Sequence, residues 1–240
     1  MLINYDKQID KLIRVRKGEV SEGYKLDIPE IDEYFRFKKS NFNLILGHAN
    51  SGKTTITLYL MLLYSVVHKL KWLVFSSEND PHQMIKKLIE FLEAKPINLI
   101  KEEEFNKQAK FVYQHFKFVD TQELYTYKQL ISLGESINKV WKYDGFLIDP
   151  YNSLAIDRNV LGGINKHDYD YQATSEMRNF CKKENVSIWL TTHAATNALR
   201  IKHPIGHPYA GHPIPPLAAD VEGGGKFVNR ADDFIVIHRY

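Results

Sequence analysis

Residues Gly47 to Thr54 read G-H-A-N-S-G-K-T. They lie between an apolar run, Asn43 to Leu46 (N-L-I-L), and a long apolar stretch, Thr55 to Tyr64 (T-I-T-L-Y-L-M-L-L-Y). A strand, a glycine-flanked loop ending in Lys-Thr, and a helix make up the P-loop pattern in the context it requires. Gly47 and Gly52 allow backbone angles and a close approach that a Cβ would forbid. Successive N–H groups can then wrap a phosphate, and the following helix directs its positive end at it. Lys53 supplies a mobile cation for the β- and γ-phosphates, and Thr54 a hydroxyl for Mg²⁺. The reading makes Gly47, His48, Ala49, Asn50, Ser51, Gly52, Lys53, Thr54 and Thr55 a binding segment for ATP or another nucleoside triphosphate.

The rest of the chain sets bounds on that reading. A length of 240 residues fits one large domain with a substantial core. The composition is ordinary for a globular protein, 44% hydrophobic and 25% charged. A net charge of +3 does not announce nucleic acid, so any basic binding surface must be local. One cysteine, Cys181, cannot form an intramolecular disulfide; a reducing, intracellular setting fits, and the thiol reads as a small helix residue. The first 19 residues are polar and unlike a signal peptide. Thr55 to Val67 is too short to span a bilayer, so no membrane role is expected and a cytoplasmic location is.

Apolar strand-like runs alternate with helical patterns along the chain. The runs are Asn43–Leu46, Trp72–Ser76, Phe116–Val119, Phe146–Ile148, Ile188–Thr192 and Phe234–His238. Helices are expected near Thr54–His68, Pro81–Glu93, Tyr127–Lys139 and Tyr169–Glu184. Strands joined by crossover helices imply an α/β fold whose mostly parallel, twisted sheet has helices on both faces. Residues 1–22 read as a polar, basic arm helix and 23–240 as the core. Two stretches break the rhythm. Asp157 to His167 has little periodicity, and Thr196 to Lys226 holds five prolines and five glycines. Loops this long are usually functional or disordered. Both follow strands, so both should emerge at the carboxyl edge of the sheet, where ligands bind in such folds.

Phosphate binding alone is not a reaction. Hydrolysis needs a metal anchor, a group to activate water and a sensor of the γ-phosphate. Phe146-Leu147-Ile148-Asp149 is an apolar strand ending in a carboxylate that could hold a hydrated Mg²⁺. Glu78, at the end of the run from Trp72, could polarise water as a general base. His193 ends Ile188-Trp-Leu-Thr-Thr-His and could hydrogen-bond a γ-phosphate. Plainer roles stay open: Asp149 capping a turn with Pro150, Glu78 as an acid at a helix start, and His193 as a partly buried structural imidazole.

The order P-loop, V-F-S-S-E (Val74 to Glu78), L-I-D (Leu147 to Asp149), T-T-H (Thr191 to His193) and E-G-G-G-K-F-V-N-R-A-D-D-F-I-V-I-H-R (Glu222 to Arg239) resembles the RecA-like ATPase core of replicative hexameric DNA helicases. The likeness is to the DnaB-like, phage primase–helicase and Twinkle-like group. Gly23 to Tyr34 also looks like the stretch that precedes the P-loop there, so the resemblance covers Gly23 to Arg239. It implies that Glu78 is the catalytic carboxylate, Asp149 the metal residue and His193 the phosphate sensor. It also implies single-stranded DNA as a partner, other copies of the chain in a hexameric ring, and a phage-encoded origin. That family places its arginine finger on a strand after the part matched by Asp232 to Arg239. The expectation is therefore a core that stops short of its finger, with Arg230 and Arg239 the nearest candidates, and that lacks the family's N-terminal domain.

The second long loop carries Arg200, Lys202, His203, His207, Tyr209, His212 and Lys226. Basic groups interleaved with an aromatic suit a single-strand backbone and stacking, with Arg200, Lys202 and Lys226 the contacts expected. The histidine spacing matches no known zinc pattern and lacks cysteine. Two other readings remain open: a RecA-like recombination or repair ATPase, and a nucleotide-gated binding module without turnover.

Overall fold

The computed structural model describes residues 3–19 and 23–240. Two compact units result, Met1–Lys38 and Lys39–Tyr240. The boundary expected after residue 22 falls beside residues outside the described ones. In the first unit, α1 (Tyr5–Arg16) starts at Asn4, whose side chain accepts from Lys7 N, and buries none of its side chains. A short α2 (Pro29–Asp32) follows. The Asp32 carboxylate ties down the preceding turn by accepting from Leu26 N (2.8 Å) and Ile28 N (3.1 Å).

The second unit is a six-stranded sheet. Its strands are β1 (Phe42–Gly47), β2 (Trp72–Ser76), β3 (Phe116–Phe118), β4 (Gly145–Asp149), β5 (Ser187–His193) and β6 (Asp233–Val236). They run in the order β3-β2-β4-β5-β1-β6, and every pairing is parallel. The helices are α3 (Lys53–His68), α4 (Pro81–Glu93), α5 (Glu102–His115), α6 (Tyr127–Val140), the short α7 (Arg158–Leu161) and α8 (Lys166–Glu184). Among the described residues, no helix is long and apolar enough to cross a membrane.

Period-two alternation sends each strand's side chains to two covered faces. Phe42, Leu44, Phe75, Phe146 and Ile188 cluster with Leu130, Ala173, Met177 and Phe180 of α6 and α8. The alternate positions include Trp72 and Trp189, fully buried and edge-to-face at 5.2 Å. Trp189 meets Tyr64 of α3, and the Trp72 indole donates to Ser65 Oγ of the same helix. A Cβ on Gly145 would sit 2.3 Å from the Trp72 ring, so the β2–β4 pairing needs a residue without one. From β1 the chain moves toward β2 and β3, then reverses to β4, β5 and β6. Right-handed crossovers therefore place α3–α5 on one face and α6 and α8 on the other. This is the doubly covered parallel sheet expected from the sequence.

Differences from that expectation are local. Helix α5 is absent from the sequence reading because its run, EEEFNKQAKFVYQH, is largely charged and buries only Val112 and His115. The long connection after β5 is not irregular throughout. Lys202 pairs antiparallel with Pro213, His203 N donates to His212 O and Ile214 N to Ile201 O, closing a hairpin over 201–214.

Candidate nucleotide site

Strand β1 delivers the loop to the carboxyl edge of the sheet, and α3 leaves from it. Asn50 and Gly52 adopt positive φ (59° and 91°), which turns the chain back onto the helix axis. A Cβ on Gly47 would lie 2.5 Å from Ile237 O and 2.6 Å from Ser51 Oγ, so the loop can lie this close to the end of β6 only with glycine there. The first amides of α3 have no acceptor within the helix and open toward the loop.

The Lys53 side chain folds back over the loop. Its ammonium donates to His48 O (2.9 Å), Gly47 O (3.2 Å) and His193 Nδ1 (3.2 Å). Burial pushes Lys53 below the ordinary lysine value, against the opposing pull of the Asp149 and Glu78 carboxylates. An ammonium donating to Nδ1 requires that nitrogen to be the acceptor, so the imidazole proton sits on Nε2. Nε2 faces Glu78 Oε1 at 3.3 Å and donates to it. Lys53, His193 and Glu78, from three segments remote in sequence, thus form one polar chain.

Beside it, Asp149 is 1% exposed and accepts from three hydroxyls: Thr54 Oγ1 (2.8 Å), Ser76 Oγ (3.0 Å) and Thr191 Oγ1. The ends of β2, β4 and β5 and the start of α3 therefore meet on one carboxylate. Around these groups lies a cavity of about 480 Å³, lined by Ala49, Asn50, Gly52 to Thr55, Glu78, Asn79, Lys87 and His193. It brings Glu78, His193 and most of the loop together. His48 and Ser51 lie beneath it. His48 is buried against His238 (6.3 Å between ring centroids), and burial and that neighbour lower its pKa.

Three contributors carry no signal in the sequence reading. Lys87 donates to Thr55 Oγ1 from α4 (2.9 Å), and Asn79 Nδ2 reaches Ser76 Oγ at 3.2 Å. Asn152 Oδ1 accepts from Thr192 Oγ1 (3.0 Å) and His193 N (3.3 Å), bracing the end of β5. Asn79 adjoins a residue already marked by its strand end. Lys87 and Asn152 owe their places only to how α4 and the turn after β4 pack.

The expected nucleic-acid residues separate. Arg200 and Lys202 are exposed at the base of the hairpin. Lys226 is not available to a phosphate: it is 7% exposed, donates to His167 O (2.7 Å) and lies 4.0 Å from Asp170. The cause is Phe227, fully buried next to it, which draws this end of the connection into the core. Of the candidate finger residues, Arg230 lies over the Tyr171 ring at 4.2 Å, and Arg239 is exposed.

No protein-family profile matches the chain. It is 22% identical over 233 residues to the Twinkle homolog protein, chloroplastic/mitochondrial, of Arabidopsis thaliana, a match covering 92% of this chain and 30% of that protein. The chain thus spans under a third of that relative's length. Among solved structures, a helicase ATPase domain determined on its own superposes with a TM-score of 0.72 at 15% identity, over 98% of this chain and 83% of that one. A DnaB-like replicative helicase, solved for its interactions with primase, gives 0.70 at 14% identity, over 98% and 56%. The chain therefore resembles, and has the RecA-like fold of, the ATPase domains of DnaB-like replicative helicases.

Proposed function

We propose that this chain is the nucleoside triphosphate-hydrolysing motor domain of a replicative DNA helicase, working between copies of itself in a ring and moving along single-stranded DNA in the cytoplasm. The observation that carries this is the Lys53–His193–Glu78 chain spanning the loop mouth beside the Thr54–Asp149 pair. Loop amides and Lys53 bind the β- and γ-phosphates. Thr54 and Asp149 offer hard oxygen donors side by side, the kind Mg²⁺ takes when it shares its shell with phosphates and water. No cluster of three His, Cys, Asp or Glu suited to a metal exists among the described residues, in keeping with an ion that arrives with its nucleotide. Such an ion, when bound, neutralises charge on the phosphate oxygens.

Glu78 is half exposed at the cavity, as a base that must meet water should be. His193 donates to Glu78 and accepts from Lys53, so phosphate capture of Lys53 releases the imidazole and leaves Nδ1 free to reorganise. The strand end it occupies leads straight into the connection bearing Arg200 and Lys202, the residues proposed to meet the DNA backbone. An arginine from a neighbouring copy would complete the charge stabilisation in trans.

The test is phosphate release with and without single-stranded DNA, in wild type and Glu78→Gln. Removing the base while keeping the shape should lower turnover by roughly 10²–10⁴ and leave nucleotide affinity in place. Wild-type turnover in the variant would remove Glu78 from the chemistry. DNA-independent turnover would favour a nucleotide-gated module.

A further inference from the structure

A second cavity, of about 290 Å³, lies between the turn after β4, the start of α8 and the end of the connection that follows β5. The reading above gives it no role. Tyr151 and Tyr169 form its aromatic walls. The Lys166 ammonium sits over both rings, 5.6 Å and 5.5 Å from their centroids. The Lys166 side chain is 56% exposed and ion-paired to Asp170. Asp170 is 2% exposed and also accepts from Tyr151 OH at 2.7 Å. At the rim, Asn152 Nδ2 donates to Glu222 Oε2 at 2.8 Å.

The chemistry of these walls selects a class of occupant. Glu222 and Asp170 set two carboxylates against the one mobile cation, which disfavours a phosphate. Two tyrosine faces favour a flat π system, and the Asn152 amide with the Glu222 carboxylate offers a donor and acceptors to a polar edge. A neutral heterocyclic base meets both conditions. The cavity opens at the carboxyl edge of the sheet, next to both long connections. Its Asn152 wall also holds the end of β5 through Thr192 and His193.

We propose that this cavity takes one everted base of a single strand of nucleic acid, stacked on Tyr151 or Tyr169 and read at its edge by Asn152 and Glu222. Lys166 is the group displaced, and its length lets the ammonium follow the strand to a phosphate. The proposal rests on the single-strand reading above and adds a base-dependent contact to a backbone-dependent one.

The test uses the whole chain with a non-hydrolysable triphosphate. Anisotropy compares an oligothymidylate with an abasic strand of equal length, and an oligonucleotide carrying 5-iododeoxyuridine is photocrosslinked and mapped by mass spectrometry. The intact strand should bind about tenfold or more tighter than the abasic one, the worth of one stacked base. Cross-links should fall on Tyr151 or Tyr169. Ile156→Trp, at a half-exposed position lining the mouth, should remove both effects and keep the salt dependence of binding. Equal binding of intact and abasic strands would overturn the cavity proposal alone. So would cross-links confined to Tyr209 and Tyr240, or labelling of Tyr151 or Tyr169 by free iododeoxyuridine triphosphate but not by the strand. Failure to bind either strand would overturn the single-strand reading and this proposal with it.

Discussion

The Lys53 ammonium and Nδ1 of His193 lie 3.2 Å apart, across 140 residues of sequence. The cation of the phosphate loop and the imidazole at the end of β5 are therefore one hydrogen-bonded unit. Because Nδ1 accepts, the proton on Nε2 is directed at Glu78.

Lys53→Ala removes the cation from the phosphate cradle. Nucleotide affinity should fall at least tenfold, since a charge-assisted phosphate contact contributes about 1.5–3 kcal/mol. Calorimetric titration with a non-hydrolysable triphosphate measures it. An unchanged dissociation constant would mean that the backbone amides alone hold the phosphates.

His193→Ala should affect coupling more than binding. Nucleotide still meets Lys53 and the loop, but the link from Lys53 to Glu78 and the end of β5 is cut. The difference in oligonucleotide affinity between triphosphate and diphosphate states should shrink by severalfold, with nucleotide affinity changed less. Anisotropy in the two nucleotide states decides this, and a full difference in the variant would exclude a sensor role.

Exposed and buried basic residues of the long connection should behave in opposite ways. Arg200→Ala and Lys202→Ala should each reduce the slope of log affinity against log salt by about 0.7, the value of one single-strand phosphate contact. Lys226→Ala should leave the slope alone and lower stability by about 1.5–3 kcal/mol, the range for a hydrogen bond to a charged group. Salt titrations and urea unfolding separate the two. A lowered slope for Lys226→Ala would place that residue on the strand after all.

The fold should resist mild alkali and yield to strong alkali. Burial pushes the Cys181 thiol from its ordinary 9.0 up to about 12, and raises Tyr127, Tyr143 and Tyr151 as well. For a folded pKa above the unfolded one, the stabilising effect is complete below the unfolded value and fades as pH climbs to the folded one. For Cys181 that window runs from pH 9 to about 12. Denaturant midpoints should hold below pH 9 and decline above it. Thiol alkylation at about pH 8, below the ordinary thiol value, should be slow unless the chain is unfolded.

The sequence displayed the central sheet because each strand is a continuous apolar run closed by a polar residue. Glu78, Asp149 and His193 stood out as strand endings of that kind, and they do converge. What it hid depended on packing with no local period. Helix α5 is mostly charged, and Lys87 enters the cavity only because α4 lies along α3. Lys226 looked like Arg200 and Lys202 by residue type. Only burial of Phe227 and the pairing with His167 O distinguish it. Asn152 follows a strand that ends in Asp149, and its role emerges only when β5 lies alongside.

The carboxylate of Asp149 grips three hydroxyls from β2, β5 and α3 at once. Mechanically, this pins the centre of the carboxyl edge as a fulcrum. Strain arriving at Thr54 is shared immediately by the neighbouring strand ends instead of bending the loop alone. The hairpin over 201–214 hangs outside that clamp on a pair of short connections. Any stroke of the machine should therefore appear as rotation of the hairpin against a stationary anvil. Asp149→Asn, which replaces one acceptor oxygen with a donor, would loosen the anvil before it touched the lever.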